Sequence, residues 1–351
     1  MCYPRMEINT EKYRHNVRRM QAMLSRNGID MMAVTKVFCA ASPLVRVLNE
    51  ESVGYLADSR LENLKDMHTN AQKVLLRLPS PSRADDTVRY SDISLNSEWA
   101  TIQKLDEAAK HLQKVHKVIL MIDVGDLREG VYYKEDIKEL TRKIEGLSNI
   151  LLYGIGTNMT CYGGVLPTHE TIMKLVGIVK EVEHFLGRKL SVVSGGNSSH
   201  LPFLESSPSC INNLRIGEAL VLGRETSYGH TLEGFYDDVF TLKAEIIELK
   251  EKPSLPEGDI GMNAFGKKTE FEDKGRRRRA IIALGKQDVD FSELVAKDKT
   301  LIVLGSSSDH IIVDVTDSEN DYEVGDVLSF NLTYGSILSL MTSPYVVKHY
   351  V

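Results

Sequence analysis

The sequence predicts an α/β fold in which a (β/α)8 TIM barrel is followed by a C-terminal antiparallel β domain. Three observations predict it. Apolar runs alternate with amphipathic helical segments over the first two thirds of the chain, the number of such runs is eight, and the pattern becomes β-rich near residue 235. Strand–helix alternation is typical of a parallel sheet covered by helices.

Eight short apolar runs mark the predicted barrel strands. They lie at 31–36, 53–59, 73–78, 90–96, 117–125, 150–157, 189–196 and 211–218. In the segments between them, such as HETIMKLVGIVKEVEHFLG, apolar residues recur at three- and four-residue steps, which is the period of a helix. Eight strand–helix units match a TIM barrel. An open doubly wound sheet is the alternative, but it favours a Gly-rich turn after its first strand, where this chain has Lys36.

The last third of the chain predicts a separate antiparallel domain. Segments such as TLIVLGSS and DVLSFNL are separated by turns, with no stretch of helical period between them. We therefore expect a barrel over residues 1–234 and a β domain over 235–351. The early strand at 5–9 is surplus to the barrel count and is a candidate to pair with the β domain.

Composition excludes several classes of function. The chain has 351 residues, 42% of them hydrophobic, and a formal net charge of −6, which argues against nucleic acid as the main partner. Its one basic run, Arg276–Arg279, is interpreted as a solvated turn beside a strand. No apolar run predicts a secretory signal or a membrane span. The four cysteines (Cys2, Cys39, Cys161 and Cys210) show no CxxC spacing, which fits a reducing compartment such as the cytoplasm.

Lys36 is the first candidate for chemistry. In a TIM barrel the functional residues lie at the carboxyl ends of the strands, and Lys36 ends the first of them in AVTK. A solvated lysine at a strand end is the ordinary interpretation. A lysine that is partly desolvated at a barrel mouth has a lowered pKa and can form an imine.

The ends of the seventh and eighth strands predict an anion site. After the seventh strand come Ser194, Gly195, Gly196, Asn197, Ser198 and Ser199. Small residues let the backbone approach a phosphate, and this part of the fold is its usual phosphate site, although an ordinary Gly/Ser turn has the same composition. Arg215 closes the eighth strand, where its charge needs a partner: either a helix carboxylate or a cofactor ring nitrogen.

Two further loops carry candidates. Arg128 follows the fifth strand in MIDVGDLREG and is suited to clamp a substrate carboxylate through two hydrogen bonds, or else it is a surface arginine. Asn158 ends the sixth strand, and Tyr162 follows in the same loop.

Taken in this order, the motifs resemble the alanine racemase family of fold type III pyridoxal 5′-phosphate (PLP) enzymes, in particular its ornithine racemase-like branch. The resemblance spans nearly the whole chain and rests on AVTKVFCA, MIDVGDLREG, SGGNSS and LRIGEAL. It implies that Lys36 carries PLP and that Arg128 binds the substrate carboxylate. It also implies that the loop from Ser194 to Ser198 binds phosphate and that Arg215 contacts the pyridine nitrogen.

The same resemblance assigns further residues. Gly217 and Glu218 take the position of backbone contacts to phosphate, Asn158 that of a residue under the ring arginine, and Tyr334 in TYGSIL that of a phosphate-binding tyrosine. The segment with Asp309, in GSSSDHIIVDV, resembles one that reaches the active site of a partner subunit. The resemblance therefore implies a homodimer with shared active sites.

Four departures from the family pattern bear on the substrate. Ala40 stands where alanine racemases have a tyrosine, Met121 where some have a carboxylated lysine, and Asn158 where the pattern has a histidine. The segment GDIGMNAFG (258–266) contains no tyrosine at the place of the catalytic one. These changes argue against alanine as the substrate. The resemblance favours ornithine, with lysine, arginine or another amino acid as alternatives.

The sequence thus predicts a PLP-dependent amino-acid racemase in which Lys36 removes the α-proton from one face of the bound substrate. The residue that acts on the opposite face is left open among Tyr162, Asp309, His310, Asn263 and a bound water. The alternatives in function are a non-catalytic PLP-binding protein, which the β domain and Arg128 argue against, and a fold type III lyase or decarboxylase. No metal site is predicted.

Overall fold

The computed structural model describes residues 2–263, 265, 266, 268 and 270–351. It divides into two compact units, one comprising Glu11–Asp237 and the other the residues before Glu11 together with Asp238–Val351. Strand β1 (Arg5–Ile8) belongs to the second unit.

The first unit is a closed barrel of eight parallel strands. They are β2 (Asp30–Val34), β3 (Tyr55–Asp58), β4 (Gln72–Leu75), β5 (Ile93–Asn96), β6 (His116–Asp123), β8 (Ile150–Thr157), β9 (Val192–Ser194) and β10 (Asn213–Ile216). The strands pair in the order β5-β4-β3-β2-β10-β9-β8-β6, and pairing of β5 with β6 closes the ring. The two-residue strand β7 (Val131–Tyr132) pairs only with the end of β6. The predicted fold class is confirmed.

Helices cover the barrel. They are α1 (Thr10–Ser25), α2 (Ser42–Glu50), α3 (Leu61–Asp66), α4 (Ala84–Tyr90), α5 (Trp99–His111), α6 (Ile137–Glu145), α7 (His169–Leu186) and α8 (Glu218–Leu222). Strand β6 shows why the strands are apolar throughout. Ile119 and Met121 face the barrel interior, whereas Leu120 and Ile122 pack in the layer between sheet and helices. Because both faces are buried, the run is continuously apolar rather than alternating.

The second unit is built on an antiparallel sheet. Its strands after β1 are β11 (Phe240–Pro253), β12 (Arg276–Ile282), β13 (Leu294–Ala296), β14 (Ile302–Ser306), β15 (Ile311–Asp314), β16 (Val327–Leu332) and β17 (Val347–Tyr350), and it carries helix α9 (Tyr334–Thr342). β1 pairs antiparallel with β11 and parallel with β17.

The basic run lies inside strand β12, so its interpretation as a turn is wrong. Arg277 forms ion pairs with Asp314 and Asp317, and Arg276 pairs with Glu251 on the neighbouring strand. Cross-strand carboxylates therefore neutralise much of this charge. Among the helices that the structure describes, none is both long and apolar enough to cross a membrane.

Candidate active site

Lys36 lies at the carboxyl end of β2, where it begins the 3-10 turn Lys36–Phe38. The residue before it, Thr35, is fully buried, and its hydroxyl donates a 2.6 Å hydrogen bond to Oδ2 of Asp58 at the end of β3. This bond joins the ends of two adjacent strands. It thereby fixes the backbone from which the lysine projects.

The surroundings of Lys36 favour its neutral amine. Burial lowers the pKa of Lys36, and Arg128 lowers it further, whereas the charges of Cys161, Asp58 and Glu129 act in the opposite direction without cancelling the shift. A larger fraction of the amine is therefore neutral at a given pH than for a surface lysine. That form is the one that attacks a carbonyl or accepts a proton.

Arg215 is buried in β10 and holds three strand ends together. Its guanidinium donates to Ser194 Oγ at 2.6 Å, to the Thr157 carbonyl at 2.6 Å and to Asn158 Oδ1 at 3.4 Å. Burial lowers the pKa of Arg215 to about 10, so the side chain stays a cation at neutral pH. A buried cation held by neutral oxygens is suited to a polar ligand that meets it there.

The Ser/Gly segment forms a compact turn after β9. Asn197 caps the following 3-10 helix (Ser198–Ser206) by accepting from the Ser199 amide at 2.8 Å, and its own amide donates to Asn158 Oδ1 at 3.1 Å. Gly196 has a φ of +127°, a conformation that strongly favours glycine. A Cβ on Gly195 would lie only 2.7 Å from a methyl carbon of Ile211. Glycines are thus required by the turn itself.

The residues at this end of the barrel fit the donor requirements of PLP. Two buried polar atoms, Asn158 Nδ2 and Ser199 Oγ, have no hydrogen-bond partner among the described residues. Both can donate to phosphate or ring oxygens. Together with the cation of Arg215 and the desolvated amine of Lys36, they give the site an imine-forming group and donors for an anion.

Arg128 lies in the loop after β6 and forms an ion pair with Glu129, its chain neighbour. It also donates to Cys161 Sγ at 2.7 Å, which joins the loops after β6 and β8. Burial by itself lowers the pKa of Arg128, but the hydrogen bond to Glu129 and the charge of that carboxylate outweigh it, so the pKa is raised. The guanidinium is therefore a permanent cation in the same electrostatic environment as Lys36.

Asp126 holds the loop that carries Cys161. Its carboxylate accepts backbone N–H groups from Cys161 at 3.3 Å, Tyr162 at 3.0 Å and Val165 at 2.9 Å, and the side chain is almost fully buried. Its main-chain carbonyl accepts a fourth bond from Gly163 at 3.0 Å. The loop is therefore anchored at several points rather than free in solution.

The structure brings one group of the predicted residues together at the carboxyl ends of the barrel strands: Lys36, Arg128, Asn158, Ser194, Gly195, Gly196, Asn197, Ser198, Arg215 and Gly217. Contacts connect Arg215 to Ser194 and Asn158, and the charge of Arg128 acts on both Lys36 and Arg215.

Other predicted residues are placed differently. Glu218 turns its carboxylate to Arg224 at 2.7 Å, which leaves only its backbone for a ligand. The Tyr162 side chain is 76% exposed. Asp309 and Tyr334 belong to the second unit, where Asp309 accepts from Ser307 and pairs with His310. Ala264, within the glycine-rich segment 258–266, lies outside the described residues.

Sequence reasoning missed four polar residues of this site: Asp58, Asp126, Glu129 and Cys161. A signal existed for three of them. Asp58 lies one residue before the end of the predicted strand 53–59, and Asp126 and Glu129 stand inside the motif MIDVGDLREG that contains Arg128. Cys161 had none, because its role depends on a contact between two loops that are far apart in sequence.

Comparison with known proteins gives one family model and several relatives. The model described as "Alanine racemase, N-terminal domain" matches residues 8–225. The chain is 46% identical over 349 residues to the ornithine racemase of Acetoanaerobium sticklandii, with 99% of each chain covered. It is 42% identical over 355 residues to the lysine racemase of Thermotoga maritima, covering 100% of this chain and 99% of that relative.

Solved structures resemble the fold at low identity. The alanine racemase of Clostridium difficile 630 has a TM-score of 0.74 at 20% identity and covers 100% of this chain and 96% of its own. The alanine racemase of Bartonella henselae, solved with covalently bound pyridoxal phosphate, has a TM-score of 0.75 at 18% identity, with 100% of both chains covered. At such identities the likeness concerns the fold.

Proposed function

Because the chain belongs to the alanine racemase family, we propose that it is a PLP-dependent amino-acid racemase whose substrate is ornithine. The observation that carries the proposal is the placement of a desolvated lysine, Lys36, at the barrel end where Arg215 lies with two buried donors that have no partner among the described residues. The similarity to an ornithine racemase and a lysine racemase over nearly the full length supports the activity and a substrate with a cationic side chain.

We assign the cofactor contacts as follows. Lys36 would hold PLP covalently, Arg215 would contact its ring nitrogen, and the turn from Ser194 to Ser198 with Gly217 would receive its phosphate. Bound PLP supplies an electron sink that makes the α-C–H bond of an attached amino acid acidic. Arg215 stays protonated near neutrality and does not release its proton to the ring, which limits how strongly that sink withdraws electrons.

Lys36 and Arg128 do the work on the substrate in this proposal. Because burial lowers the pKa of Lys36, a larger fraction of its amine is neutral, and this amine would accept the α-proton at Nζ. Arg128 binds the α-carboxylate with its fork of N–H donors and so orients the α-C–H bond toward the lysine.

Glu129 supports ornithine as substrate. Its carboxylate is mostly buried, with 15% of the side chain exposed, and it pairs with Arg128 beside Lys36. A substrate with a carboxylate and a second ammonium group can satisfy both members of that pair. Alanine offers only the carboxylate and would leave the mostly buried Glu129 charge opposite a methyl group, which gives that charge no compensating partner on the substrate.

Chiral chromatography tests the activity. PLP-loaded protein is incubated separately with L-ornithine, L-lysine and L-alanine, and the D-enantiomers are measured. We expect the rate of racemisation to be highest with ornithine, lower with lysine and lowest with alanine. A visible absorbance band of lysine-bound cofactor without racemisation of any amino acid would instead favour the non-catalytic PLP-binding protein.

Two variants test the assigned residues. Lys36→Ala should lose the visible band, whereas Lys73→Ala, at another partly buried lysine whose pKa burial lowers, should keep it. Glu129→Gln should lower kcat/KM for ornithine by about 10- to 100-fold, the loss of one charge-assisted contact, and should not lower that for alanine. Glu135→Gln, at an exposed glutamate between β7 and α6, is the control.

We also propose a homodimer in the cytoplasm. Apolar side chains at Ile260, Met262 and Phe271 are exposed in one segment of the second unit, which supports a covering partner. The four free cysteines fit a reducing compartment. Sedimentation velocity at micromolar concentration tests the dimer, and a monomer with full racemase activity would contradict it.

A further inference from the structure

Racemisation requires a proton carrier on each face of the α-carbon, and the proposed function uses Lys36 on one face only. The two arginines of the site do not act as acids near neutral pH. Asp58 accepts from Thr35, Asn63 and the Arg60 amide, and Asp126 is occupied by three backbone amides. Neither carboxylate is therefore available for proton transfer to a substrate.

Cys161 is placed differently from these carboxylates. Its Sγ receives an N–H of Arg128, the residue assigned to the substrate carboxylate, at 2.7 Å. The electrostatic influence of Cys161 reaches Lys36 and Arg215 as well. The thiol therefore lies near both Lys36 and Arg215 in the proposed site, and it remains solvent-exposed.

The order of the barrel strands separates the thiol from the lysine. Lys36 follows β2 and Cys161 follows β8, and β10 and β9 lie between them in the ring. The two side chains thus approach the barrel mouth from different sides. At the end of β8, Asn158 is more than nine-tenths buried with its Nδ2 unpartnered among the described residues, which independently indicates a ligand in this sector.

From this placement we infer that Cys161 is the second acid–base residue of the racemase, acting on the face of the α-carbon opposite to Lys36. The inference rests on the proposed function. It assigns the opposite-face role to the same chain that supplies the lysine, rather than to a residue of a partner subunit.

The proton transfers balance without any other reactant. The α-C–H bond breaks, its proton goes to Lys36 Nζ, and its electron pair stays on the substrate, for which PLP would supply the electron sink. The S–H bond of Cys161 then breaks and a new C–H bond forms on the other face. The resulting thiolate is stabilised by the Arg128 guanidinium, and exchange with solvent returns one proton to sulfur and removes one from the lysine.

Deuterium exchange of the PLP-loaded protein tests the inference. Each ornithine enantiomer is incubated in D2O with wild type and Cys161→Ser, and deuterium at the α-carbon is followed by NMR together with chirality. We expect racemisation by the variant to fall by about 10²- to 10⁴-fold, the usual contribution of a general acid, because a serine hydroxyl is a far weaker acid. One enantiomer should still exchange its α-proton without inversion, through Lys36.

Several outcomes would overturn the inference. The first is a racemisation rate of Cys161→Ser within about 3-fold of the wild-type rate, and the second is an equal loss of α-proton exchange from both enantiomers. The third is a loss of racemisation in Tyr162→Phe instead of in Cys161→Ser. Cys210→Ser, at a half-buried cysteine before β10, is the matched control and should leave both the racemisation rate and the α-proton exchange unchanged. If wild type itself racemises no amino acid, the proposed function has failed, which is a distinguishable result.

Alkylation of protein without cofactor gives a readout that needs no turnover. Iodoacetamide labelling followed by peptide mass spectrometry compares Cys161 with the exposed Cys2. Because Arg128 contacts the Cys161 sulfur directly, we expect Arg128→Gln to change the labelling rate of Cys161 by several-fold and to leave that of Cys2 unchanged. An unchanged Cys161 rate in Arg128→Gln would refute the assignment even where Cys161→Ser fails to fold.

Discussion

Replacement of Asp126 by asparagine should release the loop that carries Cys161. The carboxylate accepts three backbone N–H groups, and an amide can accept on one side only, because its nitrogen is a donor. If the amide oxygen takes the place of Oδ2, the bonds from Cys161 and Tyr162 remain and the bond from Val165 is lost.

The cost follows from this count. One charge-assisted bond is lost, and the two that remain become neutral, so we expect a loss of about 3–5 kcal/mol in the free energy of unfolding. Asp136→Asn is the matched control. Asp136 caps α6 through one bond to the Glu139 amide at 2.9 Å, and asparagine caps as well as aspartate, so its cost should stay below about 0.5 kcal/mol.

Two measurements examine the prediction. Urea titration followed by circular dichroism compares the unfolding midpoints of the two variants, and hydrogen–deuterium exchange reports on the amides of residues 160–165. We expect a lower midpoint and faster exchange only in Asp126→Asn. Equal unfolding midpoints of the two variants, together with unchanged protection of the Val165 amide from exchange, would refute the role of Asp126 in holding this loop.

Three more predictions concern packing, pH and the substrate. Gly154→Ala would place a Cβ 2.2 Å from the Val192 carbonyl oxygen and should lower the free energy of unfolding by about 1–3 kcal/mol. Gly177→Ala, which has open space in helix α7, should raise it by about 0.5–1 kcal/mol. Thermal unfolding compares the two variants, and equal effects would contradict this prediction. Burial lowers the pKa of His200 to about 4 from 6.5, so the unfolded chain binds more protons between these values, and stability falls as the pH drops through that window. The wild type should therefore lose about 3 kcal/mol more than His200→Gln between pH 7.5 and pH 4 in urea titrations, and parallel curves would exclude this assignment. Arg128→Lys should raise KM for ornithine at least about 10-fold in steady-state kinetics, because an ammonium cannot form the two parallel bonds of a guanidinium, and an unchanged KM would argue against the carboxylate role.

The sequence by itself determined the barrel and the strand ends at which the candidate site residues lie. Strand–helix alternation is a local pattern that arises because each strand buries both faces and each helix one, and it can be read over a few residues. Lys36, Arg215 and the Ser/Gly turn could be predicted as site candidates because a barrel places its strand ends at one rim. The antiparallel pattern of the last third was local in the same sense, whereas the interpretation of Arg276–Arg279 as a turn was wrong because the neutralising acids lie on other segments.

Only the tertiary structure decided which polar side chains of distant loops contact one another. The contact of Arg128 with Cys161, the three amides on Asp126, and the bond from Thr35 to Asp58 join residues 23–39 positions apart in the chain. No periodicity encodes such pairs, because loop conformation follows from which partners remain unsatisfied once the strands have packed. The lowered pKa of the PLP-lysine candidate is of the same kind, since burial causes it and burial is a property of the folded chain.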